Sequence, residues 1–192
     1  MTQPADPAKY AEWQKNNPTE MAAGAVVYHS SPIFDSASGK SPIVPLLTAN
    51  GIWPAWKCAE VNANKWSGGG ELGFGFYTHK NSESGSLYAS GVTAQIAFEV
   101  TKKAAGLVVP RGYWGVTGEA EALEKIYKGC DFFTKEDDLD EIKWNNAATL
   151  LTPVRVKAMV ELGESQASVY TAASFLKYLE TMDDDDLKRV DP

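Results

Sequence analysis

The residues best suited to chemistry lie between Gly68 and Tyr88, in the stretch GGGELGFGFYTHKNSESGSLY. Five of its first eight residues are glycine. Glycine loses more backbone entropy on folding than other residues, so it is expected where the backbone approaches another group closely or takes a positive φ. Two aromatic side chains, Tyr77 and Tyr88, follow the glycines. This pattern favours a flat ligand that lies against exposed backbone between two aromatic rings.

Two further residues that can take part in chemistry lie at the ends of predicted strands. Residues 22–29, AAGAVVYH, are rich in strand-forming side chains, and we expect His29 at the carboxyl end of that strand. A side chain in such a position is held firmly and can still face a cleft. Glu141 opens a later predicted strand, EIKW at 141–144, and supplies a carboxylate there.

The sequence lacks the common catalytic and metal-binding patterns. It has no Gly-x-Ser-x-Gly element, and its glycine-rich stretch lacks the lysine of a phosphate-binding loop. Two histidines, His29 and His79, and two well-separated cysteines, Cys58 and Cys130, do not have the spacing of metal ligands. We therefore expect no metal, and we expect the cysteines to be buried thiols.

Composition and charge restrict the partners. The chain has 192 residues, a formal net charge of −7 and a pI of about 4.9. An acidic surface repels phosphates, so nucleic acid is not an expected partner. No apolar run approaches the roughly 20 residues of a membrane helix, and the polar start does not resemble a signal peptide. We expect a soluble protein without a membrane partner, either cytoplasmic or secreted or delivered by a route that the sequence does not record.

The predicted elements give an α+β protein with one domain. Residues 1–20 are predicted as an N-terminal arm, 21–181 as the domain and 182–192 as an acidic tail. Besides 22–29, strands are predicted at 74–78, 93–101, 107–109, 130–133, 141–144 and 154–162. Helices are predicted at 43–49, 82–90, 119–128 and 164–181, with a helical turn at 145–151. Because strands outnumber helices and do not alternate regularly with them, mostly antiparallel pairing is expected.

Two patterns predict which side chains are buried. In the strand at 93–101, three apolar residues alternate with more polar positions, which predicts a half-buried strand: Ile96, Phe98 and Val100 against Gln95, Ala97 and Glu99. In the helix at 164–181, four residues at helical spacing predict an apolar stripe: Val169, Ala172, Phe175 and Leu179.

Four motifs in order resemble a known family. They are YHSS at 28–31, GFGFYT at 73–78, a Ser/Tyr-containing helix that reaches Tyr88, and EIKW at 141–144. Together they resemble the ADP-ribosyltransferase fold, in the His-Tyr-Glu branch of diphtheria-like toxins and poly(ADP-ribose) polymerases. The resemblance covers roughly residues 24–162 and implies split antiparallel β-sheets with flanking helices.

The resemblance implies a role for each matching residue in binding NAD+. His29 matches the histidine that hydrogen-bonds the ribose next to nicotinamide. Ser30 stands where the family usually has a glycine, whose backbone holds the carboxamide. The strand element matches at Gly75, Phe76 and Tyr77, and Tyr88 matches the helix tyrosine that stacks on nicotinamide. The family's helix serine lies near Ser84 or Ser86.

The third member of the triad is a glutamate that stabilises positive charge on the ribose as nicotinamide leaves. Glu141 fits this role best, and Asp140 is an alternative carboxylate. A register shifted by a few residues would place Asn145 or Asn146 there instead, and an asparagine could not supply the charge.

The implied function is an NAD+-dependent ADP-ribosyltransferase. It would cleave the nicotinamide N-glycosidic bond and transfer ADP-ribose to a protein acceptor, as a toxin or effector, with NAD+ as substrate. The close variant is an NAD+ glycohydrolase, in which water is the acceptor. A catalytically inactive NAD-binding or protein-interaction module is the second interpretation, and a structural or phage-associated protein without a small-molecule site is the third.

Overall fold

The computed structural model of the chain describes residues 18–33, 43–48, 72, 75–83, 93–109, 130–159 and 168–181. The elements in these ranges, in chain order, are β1 (Pro18–Met21), β2 (Val26–Pro32), α1 (Ile43–Leu47), β3 (Phe76–His79), β4 (Thr93–Val100), β5 (Ala104–Val109), β6 (Phe132–Lys135), β7 (Glu141–Trp144), α2 (Ala147–Leu150), β8 (Leu151–Met159), β9 (Ser168–Thr171) and α3 (Ala172–Thr181). Most strand pairs are antiparallel, and the α+β class is confirmed at this level.

The elements belong to two compact units, each made of three chain segments. Unit 1 comprises Met1–Ala23, Trp53–Thr78 and Lys102–Leu150, and unit 2 comprises Gly24–Ile52, His79–Thr101 and Leu151–Pro192. The boundary falls within β3, whose first three residues belong to unit 1 and whose last residue, His79, belongs to unit 2.

Unit 1 contains strands in the order β1-β5-β6-β7-β3. β5 and β6 are parallel, whereas β1 pairs with β5 and β6 pairs with β7 in antiparallel fashion. Every residue of β6 and of β7 is buried. Phe132 and Trp144 are register partners whose ring centroids lie 5.3 Å apart, so this aromatic pair forms the centre of the unit 1 core.

Unit 2 contains the antiparallel order β2-β4-β8-β9 with helices α1 and α3. Gly24, with a φ of 82°, takes the left-handed conformation that glycine adopts readily, and its N–H donates to the carbonyl of Val100. On α3 the buried side chains are Phe175 and Leu179, and the Phe175 ring lies 5.3 Å from that of Tyr170 on β9. Among the described residues, no helix is long and apolar enough to cross a membrane.

The predicted elements are largely present, with shifted ends. The EIKW strand has the predicted bounds, and the strands predicted at 74–78, 93–101 and 154–162 correspond to β3, β4 and β8. Residues 18–20, in the segment predicted as an arm, belong to β1, which pairs with β5. The predicted helix at 119–128 lies outside the described residues.

The predicted position of His29 at a strand end was wrong. β2 starts at Val26 and continues to Pro32, because Ser30 and Ser31 keep their pairing with Gln95 and Ala94 of β4. His29 is therefore the fourth of seven strand residues, opposite Ile96.

The prediction that β4 is buried on one face was also wrong. Gln95 and Ala97 are buried together with Ile96 and Phe98, and only Glu99 is exposed among the five. Gln95 tolerates burial because its side-chain amide donates to the carbonyl of Ser82 at 2.6 Å.

The helix predicted from residue 164 begins at Ala172 instead. The Thr171 side chain accepts a hydrogen bond from the Ser174 N–H at 3.1 Å, which caps the helix at this point. Val169 therefore lies in β9 rather than on the helix stripe, and it is 61% exposed.

The close approach of β5 and β6 requires glycine at position 106. A Cβ at Gly106 would overlap the ring of Phe132, its register partner, and that ring is itself held against Trp144. We expect Gly106→Ala to lower the free energy of unfolding by about 1–3 kcal/mol, measured by urea denaturation.

Ala105→Ser is the matched control, because Ala105 is exposed on the same strand and should change stability by less than about 0.5 kcal/mol. The same Gly106→Ala change should cost less in a Phe132→Leu background, where the ring is gone. Equal stability of the Gly106→Ala and Ala105→Ser variants would contradict this account of the β5–β6 contact.

Candidate functional site

Tyr77 and Glu141 lie on one face of neighbouring strands in unit 1. The indole N–H of Trp144 on β7 donates to the hydroxyl of Thr78 on β3 at 2.8 Å, so these two side chains share a face. Side chains alternate along a strand, and Tyr77 precedes Thr78 by one position while Glu141 precedes Trp144 by three. Both therefore point to the opposite face. β3 and β7 are adjacent in the sheet order, so these two predicted residues lie on the same face of neighbouring strands.

A buried ion pair holds the carboxylate of Glu141. Its Oε2 lies 3.3 Å from Nζ of Lys135, and the two side chains are 8% and 7% exposed. Asp138 contributes from the loop between β6 and β7, with its carboxylate 3.8 Å from the same Nζ. The other oxygen of Asp138 accepts hydrogen bonds from the N–H groups of Asp140 and Glu141. The loop thus fixes both the start of β7 and the direction of its first side chain.

Gly75 makes room for a second buried cation on this face. Lys143 is fully buried, its Nζ donates to Oδ1 of Asn145 at 2.8 Å, and it lies 5.3 Å from the centroid of the Phe133 ring. A Cβ at Gly75 would lie 2.5 Å from Cε of Lys143 and 3.0 Å from the carbonyl oxygen of Trp144. The close approach that the glycine pattern predicted is made here to β7.

The alternative residues for the third triad position have different surroundings. Asn145 donates to the carbonyl of Cys130 at 2.9 Å while it accepts from Lys143, so its amide joins β7 to the start of β6. Asn146 is exposed, and Asp140 lies in the loop before β7. Glu141 is therefore the carboxylate that the strand itself presents on the face of Tyr77.

The predicted residues of β2 belong to unit 2. His29 is half-buried and shares its face with Val27, because these residues pair with Ile96 and Phe98 on one side of β4. Ser30 points to the other face, and its buried hydroxyl has no hydrogen-bond partner among the residues that the structure describes. An unused donor of this kind can bind a ligand oxygen or a water.

The segment predicted to carry Ser84 and Tyr88 starts as expected. The N–H of Glu83 donates to Oδ1 of Asn81 at 2.9 Å, which is the geometry of a helix N-cap, and Ser82 and Glu83 are helical. Ser84, Ser86 and Tyr88 lie outside the described residues. Phe76 is buried on the same face of β3 as Thr78, opposite the face of Tyr77.

The sequence did not single out a pocket in unit 2, of about 270 Å³, which we call the unit 2 pocket. Its lining includes Tyr28 on β2, Gln95 and Ala97 on β4, and Arg155 and Lys157 on β8. In the sequence, the alternation VRVKAM at 154–159 places the two cations of β8 on one face. It does not predict a pocket, because the other lining residues lie far away along the chain.

Metal ligands and a reactive thiol are not seen in the described ranges. No group of three or more His, Cys, Asp or Glu side chains in those ranges could hold a metal ion. Cys130 is a free, buried cysteine, as predicted, whereas Cys58 lies outside these ranges. Burial, aided by the charge of Asp131, raises the pKa of the Cys130 thiol to about 11, so the thiol is protonated at neutral pH.

The Lys135–Glu141 pair should be costly to break from one side. We expect Glu141→Gln to lower the free energy of unfolding by about 3 kcal/mol, because it removes the charged partner that lies 3.3 Å from the buried Lys135, and Asp138 lies farther away at 3.8 Å. The double variant Lys135→Met with Glu141→Gln should recover most of this loss, because neither charge is then buried. Chemical denaturation of the single and double variants measures the coupling.

Glu20→Gln provides the matched control. Glu20 pairs with Lys103 at 2.6 Å in the same unit, but both side chains are 67% exposed. Such a pair contributes at most about 1 kcal/mol, so Glu20→Gln should be nearly silent. If Glu141→Gln lowered the free energy of unfolding no more than Glu20→Gln does, burial would add nothing to the Lys135–Glu141 interaction.

Comparison with known proteins assigns no family to this chain. It matches no protein-family model and no curated protein. Any function must therefore be inferred from the residues themselves, and the best-defined set is the face of β3 and β7 that carries Tyr77 and Glu141.

Proposed function

We propose that this protein binds NAD+, cleaves its nicotinamide N-glycosidic bond and transfers ADP-ribose to a protein acceptor. The observation that carries the proposal is the placement of Tyr77 and Glu141 on one face of adjacent strands. An aromatic ring and a carboxylate on one face of a sheet suit a substrate whose leaving group is a flat cationic ring and whose sugar gains positive charge. The order of the motifs YHSS, GFGFYT and EIKW, which resembles that of the ADP-ribosyltransferases, supports the same function.

The reaction requires the protein mainly to position the substrate and to stabilise the positive charge that develops on the ribose. The bond between the ribose C1′ and the pyridinium nitrogen breaks, and its electron pair leaves with nicotinamide, which becomes neutral. The positive charge that develops on the ribose is stabilised by the Glu141 carboxylate. A nucleophilic atom of the acceptor then bonds to C1′ and releases its proton to solvent.

The other predicted residues bind and orient the substrate. By the resemblance, Tyr77 and Tyr88 correspond to the two tyrosines that flank nicotinamide. By the same resemblance, His29 corresponds to the histidine that binds the adjacent ribose, and Ser30 to the residue whose backbone holds the carboxamide. Gly75 and Phe76 shape the strand that carries Tyr77, and Ser84 or Ser86 lies near the family's helix serine. The resemblance to diphtheria-like toxins supports a role as a toxin or effector that acts in another cell.

An NAD-binding or protein-interaction module without catalysis is the second candidate. It is favoured by the ion pair of Glu141 with Lys135, because a cation 3.3 Å away offsets the charge that the carboxylate can direct at the ribose. NAD+ hydrolysis, the close variant of the transferase, differs only in that water attacks C1′.

Release of nicotinamide from NAD+, followed by chromatography, tests the proposal. We expect the wild-type protein to release nicotinamide, and Glu141→Gln to reduce the rate by about 100-fold or more, the usual effect of removing one electrostatic group from a transition state. Lys135→Met is the matched control: it breaks the same ion pair but keeps the carboxylate, so it should retain activity within about tenfold. Rates are compared at a temperature where both variants are folded.

Different results select between the candidates. Free ADP-ribose as the only product indicates the glycohydrolase, whereas labelled protein indicates a transferase. Thermal stabilisation by NAD+ without nicotinamide release indicates the binding module. Undiminished release by Glu141→Gln would remove Glu141 from the mechanism, and the absence of both release and stabilisation in the wild type would refute the proposal.

A further inference from the structure

The unit 2 pocket is built from two rows of cross-strand neighbours. In the first row, Ala97 pairs with Tyr28 on one side and with Arg155 on the other. In the second row, Gln95 pairs with Lys157, which in turn pairs with Val169 of β9. Directly paired side chains on one face lie about 5 Å apart, so each row runs across three strands. The pocket of about 270 Å³ lies over these rows.

Small and fixed side chains keep the floor of the pocket open. Ala97 stands between the ring of Tyr28 and the guanidinium-bearing chain of Arg155, and its methyl group is too short to fill the space between them. Gln95 is buried and directs its amide N–H to the carbonyl of Ser82 at 2.6 Å, which fixes the pocket wall at Ser82.

A β-bulge in β8 adjoins the pocket. Ala97 pairs with Arg155 but Phe98 pairs with Pro153, so Val154 is an extra residue in the ladder. Bulges of this kind redirect a neighbouring side chain and recur near binding sites. Pro153 has no N–H to donate, so the bulge also accommodates a proline in an interior strand. The bulge sets the position of Arg155 relative to Ala97.

The pocket is a local concentration of positive charge on an acidic protein. Arg155 and Lys157 stand two residues apart on one face of β8, roughly 7 Å apart along the strand. The ion pairs recorded among the described residues involve other lysines, Lys103 and Lys135. Glu99 presents a carboxylate on the same face of β4, and it pairs with Val26, one row beyond Tyr28. The pocket therefore offers two cationic groups to an anion.

We propose that the unit 2 pocket binds a small phosphate-bearing ligand. The phosphate lies between Arg155, whose planar guanidinium matches two phosphate oxygens, and Lys157, which acts as a point charge. The organic part lies over Ala97 against the ring of Tyr28. The pocket volume of about 270 Å³ is just below the usual range of about 300–1,000 Å³ for ligand pockets, so a small ligand such as a nucleoside monophosphate is favoured over a longer chain. None of the lining residues belongs to the set proposed for NAD+ cleavage, so the two proposals stand or fall separately.

Titration calorimetry of the full chain with sodium pyrophosphate, AMP and adenosine tests the site. We expect pyrophosphate and AMP to bind and adenosine not to bind. Arg155→Gln and Lys157→Gln should each weaken AMP binding by about tenfold to a hundredfold, the usual effect of losing a charge-assisted hydrogen bond. Because both cations are exposed at the rim, raising the ionic strength should weaken binding as well.

Three variants separate specific binding from general attraction to a lysine-bearing surface. Lys177→Gln removes an exposed cation of α3 that does not line the pocket, and it should change the affinity by less than about twofold. Ala97→Leu should fill the floor of the pocket and weaken the binding of both AMP and pyrophosphate. Tyr28→Ala should weaken the binding of AMP and leave the binding of pyrophosphate unchanged, because only AMP has an organic part that contacts the ring.

Three results would contradict the proposal or the roles assigned to its residues. Failure of both anions to bind the wild type at millimolar concentration would refute the proposal. A loss in Lys177→Gln as large as in Arg155→Gln would show that the attraction is not specific to the pocket. An equal loss of AMP and pyrophosphate binding in Tyr28→Ala would overturn the role assigned to the ring. Thermal unfolding of each variant shows that the changes are not due to unfolding.

Discussion

The hydrogen bond from Trp144 to Thr78 is the contact on which the arrangement of unit 1 depends. It joins the side chains of β7 and β3 inside a core from which water is excluded, at a length of 2.8 Å. Its net contribution is about 1 kcal/mol, but leaving either partner unsatisfied in the core would cost more. It also sets the register in which Tyr77 and Glu141 share a face, because a slip of one residue would turn every side chain of a strand to the other side.

Charged residues occur in two contrasting environments in this protein. In unit 1, Lys135, Glu141 and Lys143 are buried, and each is held by a named partner at a short distance. Such groups are oriented with little freedom, at the cost of their hydration. In unit 2, Arg155 and Lys157 keep their hydration at the rim of a pocket. The first environment suits a fixed charge aimed at a reacting bond, and the second suits reversible binding of an anion.

The sequence predicted local features better than features that depend on partners distant along the chain. The EIKW strand and the start of the helix predicted at 82–90 follow from side-chain type and spacing, and both are present. The end of β2 was missed because Ser30 and Ser31, which are typical of loops, are kept in the strand by pairing with β4. The start of α3 was missed because the periodic apolar pattern runs through Thr171, whose hydroxyl caps the helix. The burial of Gln95 and the unit 2 pocket depend on contacts with Ser82 and β8, which periodicity within a single strand does not contain.

The division of the chain into interleaved segments has a consequence for how the protein can form. The last segment of unit 1 ends at Leu150, and the last segment of unit 2 begins at Leu151 and ends at Pro192. The first strand of unit 1 finds its partner, β5, only after both of the first two segments of unit 2 have been made. Neither unit corresponds to a continuous stretch that a ribosome could complete and release early. Pairing between such distant segments slows folding, because the intervening chain must be closed into loops first. β1 therefore stays unpaired until β5 has been synthesised, and a chaperone that binds nascent chains would protect it during that interval.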